Sequence, residues 1–360
     1  MQFRFGKSFC ILYVFLLVLT VSAQSGRVKP SETPIPAPRP RVVYSPIEIT
    51  SRTPPQPKST PPPKPNIEED DDEDVIRVES ALVPIPVSVT DQTGRAVTNL
   101  KLEDFALSVD GKAAEIGELF RSETPVRLAM LFDNSSSVTE AREFEKKAAV
   151  RFFKRVLRPE KDLAALFSVS TGTRLEQPLT KNSDQLVEAI EGFPPPQGAT
   201  ALLDGIIKAA EYLKAVEGRR VIVIVSDGDD TISDSTFEQT IRIVQAANCQ
   251  VYVVKTTDFE NFKRTGIRGG NANIRALSAE RRMQEIALQT GGAVYSPIDE
   301  RELDRAFNQI SAELSQQYIL NYYPENEAAS QNEFRTISLR VKRNENLTVR
   351  TRKGYFVSKK

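Results

Sequence analysis

Short apolar runs that alternate with helical patterns constrain this chain more than any other feature of its sequence. The runs cover residues 128–132, 163–169, 221–225 and 251–254. A strand buried on both faces of a parallel sheet is apolar throughout, whereas a strand with one wet face alternates. Between the runs, apolar residues recur at helical spacing, as Phe144, Ala148 and Phe152 do. This order predicts a doubly wound α/β sheet.

Segments of period two flank this part of the chain on both sides. Residues 83–89 alternate, and the prolines among them indicate an edge strand. Neither flanking block has enough strands to cover its own apolar face. We therefore expect residues 78–122 and 318–358 to fold together as one β-sandwich. The α/β domain, residues 124–316, would be inserted between its two halves.

The N-terminal region has the pattern of an exported protein. Residues 1–23 combine a basic start, an apolar run and a small-residue end, which predicts a signal peptide cleaved after Ala23. An uncleaved anchor is the alternative. Residues 24–74 predict a disordered linker, since they hold a proline-rich block and then seven consecutive acids. For the acids, a solvated spacer is favoured over a calcium site. The signal peptide predicts an exported protein that is periplasmic, on the cell surface or extracellular, and no later segment is apolar enough to span a membrane.

Composition excludes several classes of function. The chain has no His, so a His-based catalytic triad or a His-ligated metal is impossible. Lys plus Arg and Asp plus Glu are equal at 48 each, which argues against nucleic acid as a partner. Cys10 lies in the predicted signal peptide, so Cys249 is alone in the mature chain and no intramolecular disulfide can form.

Oxygen-bearing side chains follow the predicted parallel strands at their carboxyl ends. Asp133, Ser135 and Ser137 form a D-x-S-x-S motif after the first strand, Thr200 precedes a helix, and Asp227 follows the third strand. Open α/β sheets bind their ligands at this edge. A set of two carboxylates and three hydroxyls predicts a site for a hard cation of the magnesium type.

These residues resemble the von Willebrand factor type A domain and its metal-ion-dependent adhesion site. The resemblance covers residues 124–316, and the arrangement around it is similar to a bacterial subfamily of exported proteins with such domains. It implies that Ser135 and Ser137 ligate Mg²⁺ or Mn²⁺, with Thr200 binding directly or through water. Asp133 and Asp227 would bind directly or through waters, and an acidic group of a protein partner would complete the shell.

Some of these residues also have plainer interpretations. Ser137 and Glu140 fit a helix capping box, and Asp204 is expected to support a loop rather than bind metal. A long loop predicted over residues 258–276 would lie on the same rim as the metal. It is either a lip that contacts the ligand or a solvated insertion.

Three functions are compatible with the sequence. The first is a tethered binding module that captures a protein or acidic ligand through a divalent cation. The second is a structural or assembly role in an envelope complex, without metal-dependent binding. The third, a hydrolase, is disfavoured because no His and no second metal cluster accompany the candidate ligands. We therefore expect a protein that is not an enzyme.

Overall fold

The computed structural model describes residues 82–121, 124–139, 141–158, 160–267, 274–324, 333–342 and 346–357. The predicted signal peptide, the linker and its acidic run lie outside the described residues. Within the described part of the chain, no helix combines the length and the apolar character needed to cross a membrane.

A six-stranded sheet with helices on both faces forms the middle of the chain. Its strands are β5 (Val126–Asp133), β6 (Leu163–Val169), β7 (Thr173–Thr180), β8 (Arg219–Ser226), β9 (Cys249–Lys255) and β10 (Val294–Tyr295). The helices are α1 (Arg142–Val156), α2 (Ser183–Glu191), α3 (Leu202–Lys214), α4 (Phe237–Ala246), α5 (Thr257–Thr265), α6 (Ile274–Thr290) and α7 (Glu300–Gln316). The strand order is β10-β9-β8-β5-β6-β7, and all neighbours are parallel except β6 and β7.

Hydrophobic side chains cover both faces of this sheet, as the continuous apolar runs predict. Along β5, Leu128 and Phe132 face a cluster shared with α1, α2 and α7. Ala129 and Leu131 face a second cluster shared with α3, α4 and α6. All four side chains are fully buried. The predicted α/β fold is therefore confirmed.

Two elements of this part differ from the sequence prediction. Strand β7 is not predicted by the sequence, because it is an antiparallel edge strand whose half-exposed residues show no clear alternation. The loop predicted over residues 258–276 is wrong in part, because α5 occupies its beginning and α6 its end. Residues 268–273 lie outside the described chain. Phe259 of α5 stacks on Phe144 of α1 with ring centroids 3.8 Å apart, a long-range contact that stabilises this helix.

Strands from both flanking segments form two further sheets. The first flank contributes β1 (Val83–Thr90), β2 (Phe105–Val109), β3 (Lys112–Ala114) and β4 (Ile116–Arg121), and the second contributes β11 (Tyr318–Tyr322), β12 (Phe334–Val341), β13 (Thr348–Thr351) and β14 (Gly354–Phe356). The sheets have the orders β13-β1-β11-β4 and β14-β12-β2-β3. One apolar cluster contains side chains from both sheets, including Ile85, Phe105 and Leu320. The predicted β-sandwich is confirmed, whereas the domain limits 78–122 with 318–358, and 124–316, stay a proposal.

The edge position predicted for β1 is wrong, because β1 lies in the interior of its sheet. Residues 83–87 pair with β11 and residues 87–90 pair with β13. Pro84 and Pro86 lie where only β11 is a neighbouring strand, and their carbonyl oxygens accept hydrogen bonds from Arg352 and Thr351. The absent proline N–H groups therefore interrupt no ladder, since β13 pairs with β1 only from Val87 onward.

Candidate functional site

Polar residues at the ends of β5 and β8 lie side by side, because these strands are parallel neighbours. Phe132 pairs with Val225, so Asp133 ends β5 where Ser226 ends β8. Asp227 follows directly. The Ser226 hydroxyl donates to Asp133 Oδ2 at 2.6 Å. The strand order thus brings the two candidate carboxylates to one edge of the sheet.

The loop after β5 presents two serine hydroxyls beside these carboxylates. The Ser135 N–H donates to Asp133 Oδ1 at 2.9 Å, and the hydroxyl oxygens of Ser135 and Ser137 are 2.9 Å apart. The Ser137 hydroxyl also lies beside Asp227, whose pKa burial raises, and it opposes that shift in part. Direct contacts therefore link four of the five candidate ligands.

Thr200, the fifth candidate, reaches this edge on the loop before α3. The N–H of Ser136 donates to Gly198 O at 3.1 Å, which joins that loop to the D-x-S-x-S segment. The N–H of Thr231 donates to Thr200 O at 2.8 Å. Thr200 is buried, and its described hydrogen bonds are made by its backbone. These hydrogen bonds hold the backbone of Thr200 in position and do not involve its side-chain hydroxyl.

Two further carboxylates hold the loop after β8 and do not join the site. Asp204 accepts from the N–H groups of Asp234 at 3.0 Å and Ser235 at 3.1 Å. Asp230 accepts from the N–H of Leu203 at 3.1 Å. Asp204 thus supports a loop, in agreement with the expectation.

The capping interpretation of Ser137 is wrong. Residues Ser136–Val138 form a short 3-10 helix, and α1 begins later, at Arg142, with Ala141 in the capping position. Glu140, the other half of the expected capping box, lies outside the described residues. The Ser137 hydroxyl contacts Ser135 and Asp227 instead of a helix N-terminus.

Burial makes the charge of the two candidate carboxylates costly. It raises the pKa of Asp133 to about 6, and repulsion from Asp227 adds to this shift. The pKa of Asp227 is raised as well, chiefly by burial. Arg275, at the start of α6, forms an ion pair with Asp229 at 2.6 Å and partly opposes the shift of Asp227. One end of the region predicted as a rim loop thus lies beside the site.

Glu145 is a third buried carboxylate near this edge, and the sequence analysis missed it. Its side chain is fully buried on α1, and the Thr256 hydroxyl lies close enough to its carboxylate to oppose the shift of its pKa in part. Burial raises its pKa well above the usual range, with repulsion from Asp133 as the next cause. Its position three before Ala148 and seven before Phe152 places it on the apolar stripe of α1, and this signal could have revealed it.

Arg142 is a second residue that the sequence analysis missed. The guanidinium is buried at the start of α1 and donates to Asn134 Oδ1 and to the backbone oxygens of Phe193 and Pro194. It therefore connects the loop after β5 with the loop that carries Thr200. Burial lowers its pKa.

The donor set at this edge suits a divalent hard cation. Within the described residues no group of three or more His, Cys, Asp or Glu side chains could hold a metal. The candidate set has a different composition, with two carboxylates and three hydroxyls, which Mg²⁺ accepts together with waters. The raised pKa values indicate that neighbouring groups compensate the carboxylate charge incompletely, and a divalent cation would relieve this condition.

The fold and this edge define a class of protein: an α/β domain with a candidate cation site at the carboxyl ends of its parallel strands. Residues 128–229 match the family of von Willebrand factor type A domains. The match lies within the α/β part of the chain and extends from β5 to the loop after β8.

Solved structures similar to this chain have low sequence identity. The PilB minor pilin from Streptococcus sanguinis is 14% identical, with a TM-score of 0.42, over 55% of this chain and 63% of the pilin. BatB from Bacteroides thetaiotaomicron, a conserved hypothetical protein, is 17% identical with a TM-score of 0.42, over 52% of this chain and 98% of BatB. A von Willebrand factor type A protein from Catenulispora acidiphila is 11% identical with a TM-score of 0.44, over 76% of this chain and 73% of the other.

This chain thus spans less than two thirds of the pilin's length. No curated protein matches its sequence.

Proposed function

We propose that this chain is an exported protein that captures a protein partner through a divalent cation, Mg²⁺ or Mn²⁺, at the edge formed by β5 and β8. The von Willebrand factor type A domain indicates a protein-interaction or adhesion module, and such domains are generally not enzymes. The metal, the acidic group that it would recognise and the export are the parts that we add.

The observation that carries this proposal is the cluster of oxygen donors around two buried carboxylates. Asp133, Ser135, Ser137 and Asp227 are connected by direct contacts, and burial raises the pKa of both carboxyl groups. A protein that buries two like charges without a cation destabilises itself. A bound divalent cation would offset the free-energy cost of burying these two carboxylates in their ionised form.

Each candidate ligand has a distinct role in this proposal. The hydroxyls of Ser135 and Ser137 bind the cation directly, and that of Thr200 binds directly or through water. Asp133 and Asp227 balance the charge of the cation, directly or through waters. Two protein carboxylates would roughly neutralise a divalent cation, so a carboxylate from the partner would meet little repulsion when it completes the shell.

Metal binding is tested by thermal unfolding of the full chain in EDTA and in millimolar Mg²⁺ or Mn²⁺. A cation at 100 times its Kd adds about 2.7 kcal/mol to native stability. At about 2–4 °C per kcal/mol, Tm rises by roughly 5–10 °C. Asp133→Ala removes this rise, whereas Asp184→Ala, which changes an exposed carboxylate on α2, retains it. An unchanged Tm of the wild type in metal contradicts the site.

Partner capture is tested by pull-down from envelope and medium fractions of the source cells. The wild type in Mg²⁺ is expected to retain a partner that is lost in EDTA and lost in Asp133→Ala. Partners that bind equally in all three conditions would support the alternative, a structural or assembly role without metal-dependent binding. Mass spectrometry of the exported protein tests the predicted N-terminus at Gln24.

A further inference from the structure

A cavity of about 330 Å³ lies at the end of the sheet opposite the candidate metal site. The α/β part lines it with the first residues of β8 and β9, and the sandwich lines it with β1, β11 and the segment after β13. Asp133 and Asp227 lie at the other ends of the same parallel strands. The eight residues of β8 separate the two sites by about 25 Å.

Three arginines, Arg219, Arg220 and Arg352, line this cavity, and no Asp or Glu is among the described residues of its wall. The rest of the wall is neutral. It includes apolar side chains, such as Val221 and Ile319, and several side-chain amides. The cavity therefore combines a concentrated positive charge with apolar surface.

Arg352 shows that this charge is incompletely compensated. Its side chain is 8% exposed, and within the described structure it donates to Asn248 Oδ1 and to Pro84 O and lies beside the ring of Tyr355. All of these partners are neutral. Burial lowers its pKa to about 10. Burying a cation costs free energy unless an anion balances its charge. An anion bound in the cavity that Arg352 lines would supply this balance.

Arg220 has the same kind of neighbours at the cavity wall. Its guanidinium donates to the backbone oxygens of Val216 and Ala247, each at 2.9 Å. These bonds fix the planar group at the wall. Proteins commonly bind carboxylate and phosphate oxygens through guanidinium groups that are held in a fixed orientation.

We propose that the cavity binds a small organic anion whose carboxylate or phosphate group pairs with Arg220 and Arg352. Its apolar body would contact Val221 and Ile319. The volume is at the lower end of the range for small-molecule sites, about 300–1,000 Å³, which favours a compact acid. Both structural parts contribute to the wall, so the bound anion joins the sandwich to the α/β domain and stabilises the native chain. This site does not depend on the metal site.

The test uses 4-bromobenzoate and phenyl phosphate as probes, with neutral 4-bromobenzamide as the matched control. Calorimetry and thermal unfolding are carried out on the full chain in EDTA, so that the metal site does not contribute. Both anions are expected to bind and raise Tm, and the amide to do neither. Diffraction from crystals soaked in 4-bromobenzoate is expected to place the bromine inside the cavity.

Variants separate a built site from general charge attraction. Arg220→Gln is expected to weaken both anions about 10- to 100-fold, the usual range for a lost charge-assisted hydrogen bond. Arg352→Met removes binding while keeping the apolar stem of the side chain. Arg340→Gln, at an exposed position on β12, removes the same charge and leaves affinity unchanged.

Three results would overturn the proposal. One is the absence of anion binding by the wild type at millimolar probe. Another is bromine density outside the cavity. The third is an equal loss of affinity in Arg220→Gln and Arg340→Gln.

Discussion

Glu145 occupies a position on α1 where the helical pattern requires an apolar residue. Its carboxyl is fully buried, and burial is the largest cause of its raised pKa, followed by repulsion from Asp133, whereas Thr256 and the Arg142 guanidinium favour its charged form in part. Because burial dominates, the ionised form destabilises the metal-free protein. Glu145 thus lies on the core-facing side of α1 and interacts electrostatically with the candidate ligands Asp133 and Asp227.

Glu145→Gln is expected to stabilise the metal-free protein by about 1–3 kcal/mol at pH 7, because it replaces an acid whose burial disfavours the ionised form. The gain should shrink in Mg²⁺, which offsets the same repulsion. Chemical unfolding in EDTA and in Mg²⁺ measures both values. Glu143→Gln, an exposed neighbour on the same helix, is the control. A destabilised Glu145→Gln variant in EDTA would contradict this account.

The raised pKa of Asp133 predicts the direction in which the free energy of unfolding changes with pH. Its pKa rises from 3.8 to about 6 on folding, so the native state binds more protons than the unfolded state between these values. In EDTA, the free energy of unfolding should therefore fall as pH rises from about 4 to about 6, by on the order of 3 kcal/mol.

In saturating Mg²⁺ the trend should reverse, because metal binding requires the ionised carboxylate. Unfolding titrations across this pH range in a Glu145→Gln background remove the contribution of Glu145, which acts in the same direction, as Asp227 also does. Asp133→Asn should reduce the slope and Asp184→Asn should not. A stability that is flat or rising with pH in EDTA would rule out the assigned shift.

Among single residues, the candidate ligands could be predicted because they directly follow the predicted parallel strands. Asp133 and Asp227 were proposed as neighbours because parallel strands bring their carboxyl ends to one edge, and they do lie together. Glu145 and Arg142 were missed because charged residues on a helix are usually solvated. The cost of burying them depends on loops that are distant in the sequence.

At the scale of elements, α1 and two loops act together at the candidate site. Arg142 of α1 holds both Asn134 and the backbone at residues 193–194. A helix, a strand end and a distant loop thus share one buried guanidinium. We expect it to position the candidate ligands without binding the cation.

Arg142→Met tests this coupling. It leaves a buried amide oxygen and two backbone oxygens without their donor, which costs about 1–3 kcal/mol or more. It should also weaken Mg²⁺ binding, because the two ligand loops lose their common support. Calorimetry with Mg²⁺ and chemical unfolding check the two effects. Arg155→Met, at an exposed position on the same helix, removes a surface hydrogen bond to Asn308 and should leave Mg²⁺ affinity unchanged. Unaltered Mg²⁺ affinity in Arg142→Met would show that the loops are held by other contacts.

Elements with strong local patterns were predicted well, and those fixed by distant contacts were not. The predicted strand at residues 163–169 has the bounds of β6, because its buried run is unbroken. β7 was missed because an edge strand needs little apolar surface. α5 was missed because its stability depends on the stacking of Phe259 against Phe144, which no local pattern reveals.

At the scale of the whole molecule, the sandwich was predicted from an argument about coverage and not from any motif. Two flanks that are each too small to bury an apolar face must share one, and β1 pairs with β11 accordingly. The interior position of β1 was not foreseen. It depends on β13 covering only the half of the strand that lacks prolines.

Gln317 forms hydrogen bonds to both the sandwich and the α/β domain. We therefore expect these two parts to unfold together. Its Nε2 donates to the buried Ser88 hydroxyl of β1 at 2.9 Å, and its Oε1 accepts from Arg219 of β8. Gln317→Ala leaves both partners without this contact, so both parts should lose about 1–3 kcal/mol. Hydrogen exchange in rising denaturant measures this for β5 and β12 separately. The exposed neighbour Gln316→Ala is the matched control. If β12 opens far below the free energy of β5 in the wild type, the sandwich and the α/β domain are independent units, and the shared contact at Gln317 does not couple them.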